Sequence, residues 1–132
     1  MATLEAASMT AHGHTTVVGI RPDSTNRKVS GCYVSGYFSG TYVQGDNATF
    51  LAVPTVIGAS LRSNATITLL DAAFAQMGDE NGTPIGAKTV AVSGANITCE
   101  LTTDDLSTEH AGAVLSTMLE PIYLYVTYTS ST

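Results

Sequence analysis

Apolar and polar residues alternate most cleanly in two parts of the chain. Over residues 95–102 (A-N-I-T-C-E-L-T), Ile97, Cys99 and Leu101 fall on one face and Asn96, Thr98, Glu100 and Thr102 on the other, the period of a half-buried strand. Residues 88–93 precede it across Gly94, so the pair predicts a hairpin. Over residues 121–129 (P-I-Y-L-Y-V-T-Y-T), Ile122, Leu124, Val126 and Tyr128 share one face, and Tyr123, Tyr125, Thr127 and Thr129 share the other. Both faces are suited to burial, which predicts a central strand or one at a subunit boundary.

Elsewhere the pattern is shorter and punctuated. Residues 15–20 are β-branched and predict a strand, followed by turn chemistry at 22–26. Residues 28–47 carry Gly31, Gly36, Gly40 and Gly45 among Tyr33, Tyr37 and Tyr42. They predict a strand over 29–38, a bend at 39–41 and a turn at 44–47. The apolar run 49–61 has Pro54 in its middle, which predicts an edge strand or two short strands around a kink. Residues 65–77 begin in alternation and end Ala-rich; they are read as strand because the turn cluster 78–84 closes them. In the polar stretch 103–110, Asp104 or Asp105 is placed to cap a short helix running toward Met118. Residues 1–14 show no clear period and are read as an N-terminal arm, disordered alone or ordered by a neighbour. The expected architecture is therefore all-β. A single-domain antiparallel β-sandwich or barrel of about eight short strands, with at most one short helix, spans 15–132 after the arm 1–14.

Composition narrows the function classes. Of 132 residues only 12% are charged, about half the usual share, and Ser, Thr, Gly and Ala fill the difference. Such a hydroxyl-rich surface fits a subunit of an assembly better than a free enzyme. Eleven acidic against five basic residues give a formal charge of −6, which excludes nucleic acid as a favoured partner. Arg21, Arg27 and Lys28 cluster within eight residues, as either a solvated loop or a positive patch that docks on an acidic surface. Cys32 and Cys99 lie in strand-like segments and are read as buried, reduced thiols, a strand-to-strand disulfide being the alternative. No apolar run reaches the roughly 18 residues of a membrane span, and the N-terminus lacks a signal-peptide pattern, so no membrane partner is expected. The four Asn-X-Thr matches, at Asn47, Asn64, Asn81 and Asn96, are read as surface turns and strand edges.

Candidate chemistry is sparse. His12 and His14 share one face of an extended chain, but no third ligand lies nearby in sequence. Asp79 and Asn81 alternate as calcium ligands do, without a closing carboxylate. Gly31 and Gly36 are not followed by the Lys and hydroxyl residue of a phosphate loop. Asp104, Asp105, Glu109 and His110 combine acid, base and imidazole, yet no second catalytic element accompanies them. The expectation is a protein that is not an enzyme and takes no cofactor.

One element resembles a known family. Residues 36–46 (G-Y-F-S-G-T-Y-V-Q-G-D) resemble the G-x-Y-x-x-G-G-D/E element of small virion proteins of tailed bacteriophages, with Gln44-Gly45 at the place of the Gly-Gly pair. The ending 121–129 resembles their closing strand. The resemblance implies an all-β decoration, or cement, protein that is made in the host cytoplasm, sits on the capsid exterior and stabilises the head shell. It also implies a homotrimer with the major capsid protein as partner. On that expectation Thr10, His12 and His14 of the arm, with Arg21, Arg27 and Lys28, contact the shell, and Tyr123 and Tyr125 form the oligomer interface. The alternative is a carbohydrate- or receptor-binding β-module of a phage tail appendage, with exposed tyrosines as a sugar platform.

Overall fold

The computed structural model describes residues 3–18, 29–61, 66–80, 82–103, 105–115 and 118–131. Among these lie eleven strands and one helix: β1 (Thr3–Glu5), β2 (Ala7–Val18), β3 (Val29–Tyr37), β4 (Thr41–Val43), β5 (Asn47–Phe50), α1 (Val53–Leu61), β6 (Thr66–Gln76), β7 (Gly78–Glu80), β8 (Thr83–Ser93), β9 (Asn96–Thr102), β10 (Gly112–Val114) and β11 (Ile122–Ser131). The expected all-β class holds. The count exceeds eight because β1, β4, β7 and β10 are three-residue strands.

Two sheets face each other across the core, one ordered β1-β5-β9-β8-β7 and the other β2-β3-β11-β6, with a small β10-β4 ribbon beside them. All pairings are antiparallel except β1 with β5. The chain changes sheets at both flanks of the sandwich. At Ala6 it leaves β1, the edge of the first sheet, and enters β2, the edge of the second. At Met77 it passes from β6 to β7, the opposite edges. Strands that turn corners between sheets cover edges that would otherwise offer unpaired backbone groups.

Between the sheets, the inner row of β11 (Ile122, Leu124, Val126, Tyr128) packs with Cys32 and Val34 of β3, Ile67 and Leu69 of β6, and Ile97, Cys99 and Leu101 of β9. The alternation legible in 95–102 and 121–129 is thus the core pattern. Cys32 and Cys99 are free thiols. Burial pushes them up to about 11 and about 12 respectively, which keeps them protonated and unreactive at neutral pH.

Residues 3–14 are not a separate arm. They form β1 and most of β2, and Ala7–Val18 lines the edge of the four-stranded sheet against β3. The apolar run 49–61 also departs from its strand reading. Its first part completes β5 and its second is helix α1. Pro54 lies in the first turn of α1, where a missing N–H leaves no helical bond unmade. Val53 and Ile57, four residues apart, bury one helical face in the core. No helix starts at Asp105: its carboxylate instead accepts the N–H groups of Ser107 and Thr108, both at 2.9 Å, and the chain goes on to β10. Asp104 lies outside the described residues.

The glycine-rich element 36–46 makes the link between the two sheets. After β3 it passes through β4, paired to β10, and turns into β5. Tyr42 is fully buried, and its hydroxyl lies 2.5 Å from Glu109 Oε2 and 2.8 Å from the Asp46 carbonyl. Gly45 takes φ = 94°, a left-handed conformation that favours glycine, and its N–H donates to the same Glu109 oxygen at 3.1 Å. Asp46 Oδ2 accepts the Val43 N–H at 3.0 Å and closes the turn. Within the turn 44–46 only Gly45 is left-handed; Gly40, at φ = 86°, lies before β4. Gln44 has no positive φ and needs no glycine.

The Tyr42 bond holds the Glu109 carboxyl below its ordinary 4.5. A carboxylate with a depressed folded pKa adds stability above that value and loses it as pH falls through the folded one. Tyr42→Phe is expected to lower unfolding free energy by about 1–3 kcal/mol near neutrality, read by urea denaturation, with a smaller loss of stability on acidification below pH 4.5 than in the unaltered chain. Equal stability of the two proteins at pH 7 would contradict the tie.

Candidate functional site

β11 is central in the four-stranded sheet, paired with β3 on one side and β6 on the other. Its inner row belongs to the core, so Tyr123 and Tyr125 stand on the outer face. Register then sets their neighbours. Tyr125 lies opposite Tyr33, and Tyr33 opposite His12, while Tyr123 lies opposite Ser35 and Gln76. Four rings from three strands therefore converge. His12 is nearly parallel to Tyr33 (centroids 6.1 Å apart, 29°) and meets Tyr123 edge-on (5.8 Å, 89°). Tyr33 meets Tyr125 at 5.2 Å and 68°. With Ala75 and Gln76 of β6 they line an open cleft of about 540 Å³.

This seat depends on a residue with no side chain. A Cβ built on Gly31 would come within 2.0 Å of the Tyr125 hydroxyl, so glycine is what allows the Tyr125 ring to lie over β3. Tyr33 is 41% exposed, an unusual position for a large aromatic, while Tyr123 and Tyr125 are half-buried against their neighbours. Beside the cleft, the Thr10 and Ser35 hydroxyls are 2.8 Å apart.

The two histidines diverge. Gly13 takes φ = 72° and the β2–β3 register shifts between His12 and Thr15, a bulge that re-aims side chains. His12 joins the aromatic face. His14 places Nδ1 2.9 Å from the Tyr128 hydroxyl and Nε2 2.8 Å from Ser60 Oγ of α1. They do not form a ligand pair, and among the described residues no group of three His, Cys, Asp or Glu is placed to hold a metal ion. Burial first, and His12 second, lower the His14 pKa.

Of the residues expected to bind a shell, Thr10 and His12 lie on the aromatic face with Tyr123 and Tyr125, and His14 lies apart from it. Arg21, Arg27 and Lys28 fall in 19–28, outside the described residues; the residues flanking that segment, Val18 and Val29, are paired. Tyr33, Ala75 and Gln76 complete the cleft and were not singled out by sequence. The signal for Tyr33 is its parity on β3, but its proximity to Tyr125 is a register fact between distant segments. The polar stretch 103–110 does not converge on a reaction centre. Asp105 caps its own turn through Ser107, Thr108 and Thr103, which hold its carboxyl well below the usual carboxylate range. Glu109 is engaged by Tyr42 and Gly45; the His110 backbone N–H donates to Leu101 O at 3.0 Å, while its imidazole Nε2 is buried without a hydrogen-bond partner among the described residues. Comparison with protein families, with curated proteins and with solved structures finds no match to this chain.

A histidine whose folded pKa lies below its ordinary 6.5 favours the neutral form in the native state. His14 therefore adds stability that is complete above pH 6.5 and declines as pH falls through the lowered folded value. Thermal melts between pH 7.5 and 5 are expected to show this decline, and His14→Gln to flatten it. An unchanged pH dependence in the variant would remove His14 from the account.

Proposed function

We propose that this chain is a structural virion protein, a capsid decoration subunit that binds and stabilises the head shell of a tailed bacteriophage. The observation that carries the reading is the role of the 36–46 element. Within it, Tyr42, Gly45 and Asp46 each have a structural role: a buried ring, a left-handed turn and a closing carboxylate. These roles fit an element that serves the fold of a structural protein. The low charge and the commitment of Asp105 and Glu109 to structural hydrogen bonds support a binding role over a catalytic one.

In this reading the subunit sits on the capsid exterior as a homotrimer, with the major capsid protein as its partner. The basic segment carrying Arg21, Arg27 and Lys28 supplies the complementary charge toward an acidic shell surface. Contacts repeated by symmetry multiply a modest single affinity into stable attachment. Purified protein mixed with undecorated heads is expected to co-sediment and to saturate at a fixed ratio. Replacing the three basic residues with Glu is expected to weaken attachment at least about tenfold. Absence of co-sedimentation, together with a monomer in sedimentation equilibrium, would overturn the proposal.

A further inference from the structure

The cleft on the outer face of the four-stranded sheet has the composition of a ligand site, and Arg21, Arg27 and Lys28, proposed above for shell attachment, belong to a different stretch of the chain. We infer that it binds a neutral pyranose sugar, with Tyr33 and Tyr125 as stacking surfaces and His12, Gln76 and Tyr123 as hydrogen-bonding groups. This inference stands independently of the capsid reading.

Four observations carry it. The first is shape: about 540 Å³ of open cleft falls in the range of small-molecule sites. The second is chemistry. A pyranose has an apolar face of C–H groups and a rim of hydroxyls. The cleft offers the complement, with an exposed ring in Tyr33, phenol hydroxyls, an imidazole and a carboxamide that both donate and accept. The third is charge: among the described residues, none that lines it is Lys, Arg, Asp or Glu. A nucleic acid, a phosphate or a carboxylated ligand would find no cation among them. A dry interface between copies would strand these polar tips, whereas sugar hydroxyls can satisfy them.

The fourth is preorganisation. Tyr33, Tyr123 and Tyr125 sit on paired strands, and the Gly31 backbone supports Tyr125 from below. Rings already fixed on a sheet lose little freedom when a ligand arrives. The inclined ring pair, 68° between Tyr33 and Tyr125, makes a walled notch rather than a flat platform. A single terminal sugar unit fits that shape better than the length of a chain.

The test is an NMR titration of the isotope-labelled full chain with methyl glycosides of glucose, galactose, mannose and N-acetylglucosamine, with glucuronic and sialic acid glycosides as charged controls. At least one neutral glycoside is expected to bind with millimolar affinity and to shift amides around Tyr33, Gln76 and Tyr125. Tyr33→Ala and Gly31→Ala are each expected to weaken it at least about tenfold. The Gly31 variant keeps every ring but displaces Tyr125, and thermal melts of both variants check that the fold persists. If a variant fails to fold, Gln76→Ala, at an exposed position, provides the same readout. No shift with any neutral glycoside, shifts located elsewhere, or binding of the charged controls alone would overturn the inference. So would oligomers that dissociate on Tyr33→Ala with no sugar bound, which would assign the face to a second copy of the chain.

Discussion

Strand β11 is held in one unbroken register against β3 and, with two shifts, against β6, and the rest of the molecule depends on that placement. Side chains alternate along a strand, so a slip of one residue would move Leu124 and Val126 out of the core and Tyr123 and Tyr125 into it. The inner row fixes the register because the space it fills is already bounded by β3, β6 and the facing sheet. The outer row inherits that precision. Tyr125 reaches its seat over Gly31, and Tyr123 its place opposite Gln76, because the core on the other side has determined where β11 lies. Corner-turning at Ala6 and Met77 then closes the flanks, so the sheet that displays the aromatic face is anchored at both of its edges.

The parts legible in sequence are those where one face is wholly apolar and the period is unbroken. β9 and the inner row of β11 satisfy both conditions. β2 does not: its register shifts three times against β3, with Ser8 at φ = 53° and Gly13 at φ = 72°, so its alternation is scrambled and residues 1–14 read as an unstructured arm. Helix α1 was hidden differently. A short apolar run with a proline has the same composition whether it is a kinked strand or a helix with proline in its first turn, and only the burial of Val53 and Ile57 on one side separates the two.

The candidate site was half legible for a related reason. Parity alone places Tyr123 and Tyr125 on the opposite face from the core. Their partners come from strands far apart in the chain, His12 and Tyr33 on one side and Gln76 on the other, and nothing local in sequence encodes which residues will face one another. The histidines show the limit of extended-chain geometry, since one bulge at Gly13 sends His12 to the outer face and His14 to α1. The acidic stretch near His110 shows the converse: residue types suited to catalysis are consumed by turn and tie hydrogen bonds once the chain folds.

These features describe a sandwich whose turn chemistry serves the fold and whose outer face carries an aromatic cleft. If the subunit decorates a shell through the segment between Val18 and Val29, that end of the four-stranded sheet turns toward the shell and the cleft of Tyr33 and Tyr125, on the sheet's face, stays off the contact. Cryo-electron microscopy of decorated heads tests this most directly. The account predicts density that places residues 19–28 against the major capsid protein, with the aromatic cleft open to solvent. Density that buries Tyr33 and Tyr125 against the shell, or heads that carry no added density, would contradict it.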